Sequence, residues 1–249
     1  MYFKSMQELE LWLQYNHGAI LDNGSQGQCY KIGNNVFKIF LQYIDREVDW
    51  VSEYSKDEIM RFSFIENNTY IFPKDIIMVG NIVVGYITDY IDAKSLDKIN
   101  PLSFDLDKFE ISLEKVIPDV KKISDNGVMS YDVMYNILYG ENGFNVIDTL
   151  DYSISDLSSR ELYIENYRRF IYGVRLFLID GIFDKFIKSN GYLYDMCYDR
   201  EANFVEFLKE FRMKLSENEE FQISTLADAR KSMSISKVKS RKYVRELYI

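Results

Sequence analysis

Two textures divide this chain, and their order restricts the folds open to it. Between Ala19 and Tyr90, short β-type runs are punctuated by Gly and Asn: Ala19–Leu21, Gln28–Ile32, Val36–Phe40, Asp75–Val79 and Ile82–Tyr90. Gly33-Asn34-Asn35 and Gly80-Asn81 supply tight turns, because these residues accept the left-handed backbone that short hairpins need. Residues 46–66 break the series with helical spacing of Val51, Tyr54, Ile59, Phe62 and Ile65. A further short helix is expected over 5–15, opened by the capping box Ser5-x-x-Glu8. After Asp92 the pattern turns helical, most clearly over Phe109–Asn126, Glu161–Ile179 and Ala202–Leu215. Strands first and helices afterwards predict an α+β fold in two lobes. Residues 1–91 form a small antiparallel-sheet lobe with one main helix, and residues 92–249 a mostly helical lobe.

One hairpin interrupts the helical part. Asn136–Tyr139 and Phe144–Ile147 flank the turn-forming Gly140-Glu141-Asn142-Gly143, with Asp132 ahead of the first run and Asp148 behind the second. Such a hairpin, the catalytic candidate over 130–150, returns Asp148 beside Asn136. The expected result is an oxygen-rich end. Asn136 and Asp148 suit a hard cation such as Mg²⁺, while Asp132 stands apart as a base.

Composition narrows the chemistry. At 249 residues with 47% hydrophobic content the chain can bury a substantial core. Its longest apolar runs, Ile76–Val79 and Ile82–Val84, are far too short to span a bilayer, and its first residues lack an apolar export signal. Cys29 and Cys197 have no CxxC spacing and are expected to stay reduced in a cytoplasm. A formal charge of −9 argues against broad nucleic-acid binding, and the basic tail from Lys231 to Arg245 reads as a solvated helix face. His17 is the only histidine, which excludes a histidine-rich zinc site and most Ser-His-Asp schemes. Chemistry must rest on carboxylates, amides and lysine.

The early strands carry a second constellation. Asp22-Asn-Gly24-Ser25-Gln-Gly27 joins the first two of them, and a glycine turn lets backbone N–H groups approach phosphate oxygens. Lys38 sits among apolar neighbours in Val36-Phe-Lys38-Ile-Phe40, where it either snorkels from an edge or projects beneath the glycine turn. An ammonium so placed wants an acidic partner. Glu58, just ahead of Ile59, Phe62 and Ile65, is the expected one, with Glu47 and Glu53 as alternatives.

Taken together these parts resemble the protein-kinase-like superfamily, in a minimal, divergent bacterial or phage-type Ser/Thr form. Gly24-Ser-Gln-Gly27 resembles part of the family's glycine-rich loop, Val36-Phe-Lys38 its V-A-I-K strand, and Ile87-Thr88-Asp89-Tyr90-Ile91 its hinge. Tyr131-Asp132 with Asn136 is similar to the catalytic loop, and Ile147-Asp148-Thr-Leu to the D-F-G strand end. The resemblance runs in order from about residue 19 to 152. It implies that Gly24, Ser25 and Gly27 cover ATP, that Lys38 contacts the α- and β-phosphates and pairs with Glu58, and that the backbone at Asp89 and Ile91 receives adenine. Thr88 would be the gatekeeper, Asp132 would orient the attacking hydroxyl, and Asn136 and Asp148 would hold Mg²⁺.

Departures accompany the likeness. Asp22 stands at the first loop glycine, Ser130 at the catalytic-loop histidine, and Met134 and Tyr135 where a basic residue is usual. Three residues rather than four separate Asp132 from Asn136, and no A-P-E motif follows. Three activities stay open: transfer of the γ-phosphate to Ser/Thr of a protein substrate, transfer to a small-molecule alcohol as in aminoglycoside and choline kinases, and nucleotide binding without turnover.

Overall fold

The computed structural model describes residues 1–23, 26–44, 54–199, 201, 203–216 and 222–233. The expected positions of Gly24, Ser25, Glu47 and Glu53, and the tail beyond residue 233, lie outside them. The fold class is α+β, and the chain forms two compact units. One is Met1–Asp92 together with Asn145–Tyr152; the other is Ala93–Phe144 together with Ser153–Ile249.

The first unit is built on a six-stranded sheet. Its strands are β1 (Tyr2–Phe3), β2 (Ala19–Asn23), β3 (Gly27–Ile32), β4 (Asn35–Phe40), β5 (Asp75–Val79) and β6 (Ile82–Asp89). Their order is β1-β5-β6-β4-β3-β2, with β1 parallel to β5 and all other pairs antiparallel. Gly33 and Gly80 turn the β3–β4 and β5–β6 hairpins at φ of 58° and 59°. Helix α1 (Met6–Tyr15) is capped by Ser5, whose side chain accepts from the Glu8 amide. It lays Leu9 and Leu13 over Phe37, Ile39 and Ile77 on one sheet face. Each such fully buried leucine is worth about 1.5–3 kcal/mol relative to exposure. The other face buries Phe40, Ile76, Val83 and Tyr86. A β-bulge lets Val83 join Tyr86 there: Ile77 pairs with Gly85 and Met78 with Val83, so Val84 is the extra residue.

The long helix expected over 46–66 is corrected. Among the described residues only α2 (Lys56–Ile59) is helical in that span. Beyond it the chain advances by i→i+3 bonds, Ser63 N to Met60 O and Ile65 N to Phe62 O. Ile59, Phe62 and Ile65 are all buried as expected. Their spacing of three suits successive tight turns as well as it suits an α-helix.

Residues 145–152 complete the first unit. Val146 exchanges backbone bonds with Thr69 and Ile71, Asn145 Nδ2 donates to Asn68 O at 2.8 Å, and Thr149 Oγ1 donates to Ile71 O at 3.0 Å. Tyr152 meets Tyr70 and Phe72 edge to face. This segment delivers Asp148 and Leu150 to the sheet, with Leu150 against the Phe40–Tyr86 cluster.

The second unit contains strands β7 (Ala93–Ser95), β8 (Val128–Met129), β9 (Ile137–Gly140), β11 (Ser153–Ile154) and the first two residues of β10 (Gly143–Val146), whose last two belong to the first unit. Its helices are α3 (Leu106–Asp125), α4 (Ser159–Leu178), α5 (Asp184–Lys188), α6 (Gly191–Tyr198) and α7 (Phe204–Ser216). Phe109 is its hub, touching the rings of Phe104, Phe144 and Phe204. The expected hairpin is present, shifted one residue, with β9 also pairing with β7. Among the described residues no helix is long and apolar enough to cross a membrane.

Candidate active site

Strand β4 places Lys38. Antiparallel register sets Cys29 of β3, Lys38, Tyr86 of β6 and Ile76 of β5 side by side on one face, because directly opposed residues share a side of the sheet. Lys38 is 8% exposed, so its ammonium needs a charge partner. That partner is Asp148: Nζ meets Oδ1 at 2.5 Å. The phenol of Tyr86 donates to the same oxygen at 3.1 Å. Lys38 also reaches Gln26 Oε1 at 3.4 Å, and Gln26 Nε2 donates to Asp151 Oδ2 at 3.2 Å. Gln26, just ahead of β3, thus ties the start of that strand to the Asp148 segment. Asp148 holds φ at 57°, a left-handed conformation uncommon for non-glycine residues and frequent at functional sites.

Glu58 is elsewhere. It is N3 of α2, and its carboxylate accepts from the backbone N and the Oγ of Ser55, both at 2.7 Å, closing a capping box. The hydrogen bonds from Ser55 hold its carboxyl below the ordinary glutamate range. Here Lys38 pairs with Asp148 and not with Glu58. A one-turn helix that uses its glutamate for its own N-terminus leaves none for the lysine.

Gly27 has a structural task. A β-carbon there would lie 2.5 Å from the Ile39 carbonyl oxygen, so its bareness permits the close approach of β3 to β4. Thr88 pairs with Val36 two positions along β6 from Tyr86, on the same side of the sheet as Lys38. Asp89 ends β6, with its carboxylate paired to Lys74, and Ile91 follows in the connecting segment. Tyr90 donates its backbone N–H to Asn34 O, and the Lys31 ammonium covers its ring at 3.6 Å.

In the second unit Asp132 and Asn136 belong to one turn. Asn136 Nδ2 donates to Asp132 O at 2.8 Å, and its backbone N–H donates to Val133 O. Asp132 is exposed with φ of 47°. Helix α4 holds this turn from one face. Asn166, fully buried, accepts from Ser130 N and Oγ and donates to Ser124 Oγ and Val128 O. Arg169 Nη1 donates to Ser130 O at 2.7 Å while its guanidinium covers the Tyr131 ring. At Gly173 a β-carbon would come within 2.8 Å of Ile137 Cδ1 and 3.0 Å of Met134 Cα. These three lie at i, i+3 and i+7, a single helical stripe. That spacing was their only sequence signal.

Among the described residues no three His, Cys, Asp or Glu side chains gather as a metal site, so a cation held at Asp148 would take its other oxygens from elsewhere. Mg²⁺ takes hard oxygen ligands, one or two carboxylates with the remainder from phosphates and water. Among the described residues only Oδ1 of Asp148 is engaged, which leaves Oδ2 for a cation.

No protein-family model matches the sequence, and no curated protein matches it. In fold the chain is similar to a chain of the CAK complex of Chaetomium thermophilum bound to ATP-gamma-S. The two are 12% identical with a TM-score of 0.44, over 61% of this chain and 52% of that one. This chain therefore spans about half the length of that neighbour.

Proposed function

We propose that the protein is an ATP-dependent phosphotransferase that moves the γ-phosphate of Mg·ATP to Ser or Thr hydroxyls of a protein substrate. The observation that carries this reading is the meeting of Lys38 and Asp148. They are 110 residues apart in sequence, and Asp148 meets a lysine that strand β4 holds almost wholly out of water. A buried ion pair of this kind is weak as a source of stability, because desolvation offsets most of its attraction. Its usefulness lies in holding a cation and a metal-binding oxygen at a fixed separation. Lys38 would neutralise the α- and β-phosphates. Magnesium bound at Asp148 would offset charge on the β- and γ-phosphates.

The roles of the second unit's residues rest on the sequence resemblance. Asp132 orients the attacking hydroxyl and accepts its proton. Asn136 supplies a carboxamide oxygen to the metal, its amide nitrogen being tied to Asp132 O. Thr88 and the backbone of Asp89 and Ile91 receive adenine, and Gly24, Ser25 and Gly27 cover the phosphates.

Incubation with labelled ATP and Mg²⁺, beside an Asp148→Ala variant, tests the reading. Label on protein that is lost in the variant supports it. Label on an added aminoglycoside or small alcohol moves the assignment to the small-molecule kinases. Nucleotide binding without transfer makes the protein a binding module, and absence of both sinks the proposal.

A further inference from the structure

Asp148 is held by two donors that converge on one oxygen. Lys38 Nζ and Tyr86 Oη both reach Oδ1, at 2.5 and 3.1 Å. Lys38 and Tyr86 are directly opposed in the β4–β6 register, so the backbone ladder fixes the spacing of the two donors. The ammonium also lies 5.8 Å from the centroid of the Tyr86 ring. Tyr86 is 4% exposed and packed among Phe40, Ile76 and Val83, which leaves its phenol little freedom to turn away.

This arrangement has a consequence for the cation. Glu58 is occupied by Ser55, so Asp148 is the carboxylate that balances Lys38 among the described residues. A divalent cation arriving at Asp148 competes with the ammonium for the same carboxylate. A cation on Oδ2 would weaken the ammonium's hold on Oδ1 without requiring the lysine to leave. A neutral donor on Oδ1 would then keep the carboxylate in place without opposing the metal.

We propose that Tyr86 is a positioning residue for the metal-binding carboxylate, its hydroxyl anchoring Oδ1 of Asp148 so that Oδ2 remains available to a divalent cation carried by a nucleotide. The inference rests on the phosphotransferase reading and deepens it. Hydrogen-bond partners of metal-ligating carboxylates typically change metal affinity by about 10- to 100-fold when removed.

The test is a titration of Mn²⁺ into the full chain with AMP-PNP, followed by electron paramagnetic resonance of free Mn²⁺. Metal-free AMP-PNP affinity is measured separately by calorimetry. Tyr86→Phe is expected to weaken Mn²⁺ binding about tenfold while metal-free nucleotide affinity stays within about twofold. Asp148→Asn sets the floor for metal affinity. Tyr86→Met, apolar and flexible enough to fill the space, carries the same expectation should the phenylalanine variant fail to fold. Equal Mn²⁺ affinity in wild type and variant overturns the inference and leaves the phosphotransferase reading standing. So does an equal fall in metal-bound and metal-free affinity, which would make Tyr86 merely structural. A folded wild type that binds neither nucleotide nor nucleotide-dependent Mn²⁺ removes the underlying reading instead.

Discussion

Gly85 approaches the main chain of Lys38 so closely that a β-carbon on it would lie 2.1 Å from the Lys38 carbonyl oxygen. No side chain can relieve that clash, because the obstacle is backbone. Gly85→Ala is therefore expected to lower the unfolding free energy by at least about 2 kcal/mol. It should also weaken nucleotide binding, since β4 must shift and carry Lys38 with it. Urea unfolding followed by circular dichroism measures the first effect. An alanine variant as stable as wild type would contradict the close packing of β4 on β6.

The two ends of the Lys38–Asp148 pair are unequally buried, at 9% and 29% side-chain exposure. Asp148→Asn strands an ammonium that water barely reaches, whereas Lys38→Met leaves a carboxylate that is partly hydrated and still bonded to Tyr86. The asparagine variant should lose about 3 kcal/mol and the methionine variant less. The double variant should recover most of the larger loss. A denaturation cycle over the four proteins checks this, and additive losses would mean that the pair is not coupled.

Glu58 offers a test by pH. Its carboxyl titrates below the ordinary range because Ser55 donates to its charged form. A depressed folded-state value adds stability above the unfolded value and loses it as pH falls through the folded one. Glu58→Gln should flatten that acid limb of the stability profile. It should also leave nucleotide affinity within about twofold, since glutamine still serves a capping box. A collapse of nucleotide binding in this variant would show that Glu58 engages Lys38 once ligand is bound.

Asn166 makes four hydrogen bonds in a fully buried setting. Asn166→Ala should cost about 3 kcal/mol by leaving Ser130 and Val128 groups unsatisfied. Asn166→Asp keeps the acceptor for Ser130 but turns a carboxylate oxygen toward the Val128 carbonyl. Its stability relative to wild type should improve as pH is lowered and that oxygen gains a proton. Thermal melts across pH give the answer, and a flat difference would count against the assigned bonds.

Much of the secondary structure was legible because it rests on local signals. Alternation and Gly-Asn turns located β2 to β6 to within a residue or two, and 3.6-residue spacing located α3, α4 and α7. The strand β1 and the helices α5 and α6 were not legible; two to eight residues give too little periodicity. Glu58 is more instructive. Ser55-x-x-Glu58 has the same capping spacing as Ser5-x-x-Glu8, so a helix start at Lys56 was open to view. The apolar positions around it suggested a longer helix and a different partner for its carboxylate. Lys38 stood out because a charge in an apolar strand is anomalous. Its counter-ion did not, because a separation of 110 residues leaves no local trace of the contact. Tyr86 looks like any core aromatic until its hydroxyl is placed.

Residues 145–152 belong to the sheet unit although about fifty residues of another unit precede them in the chain. During synthesis, the first 92 residues therefore emerge with Lys38 lacking its countercharge and one flank of the sheet uncovered. A polypeptide cut after Asp92 should be prone to aggregation, and should become protease-resistant only when a peptide spanning 145–152 is supplied. On the ribosome, Lys38 can gain its carboxylate only after Asp148 has cleared the exit tunnel.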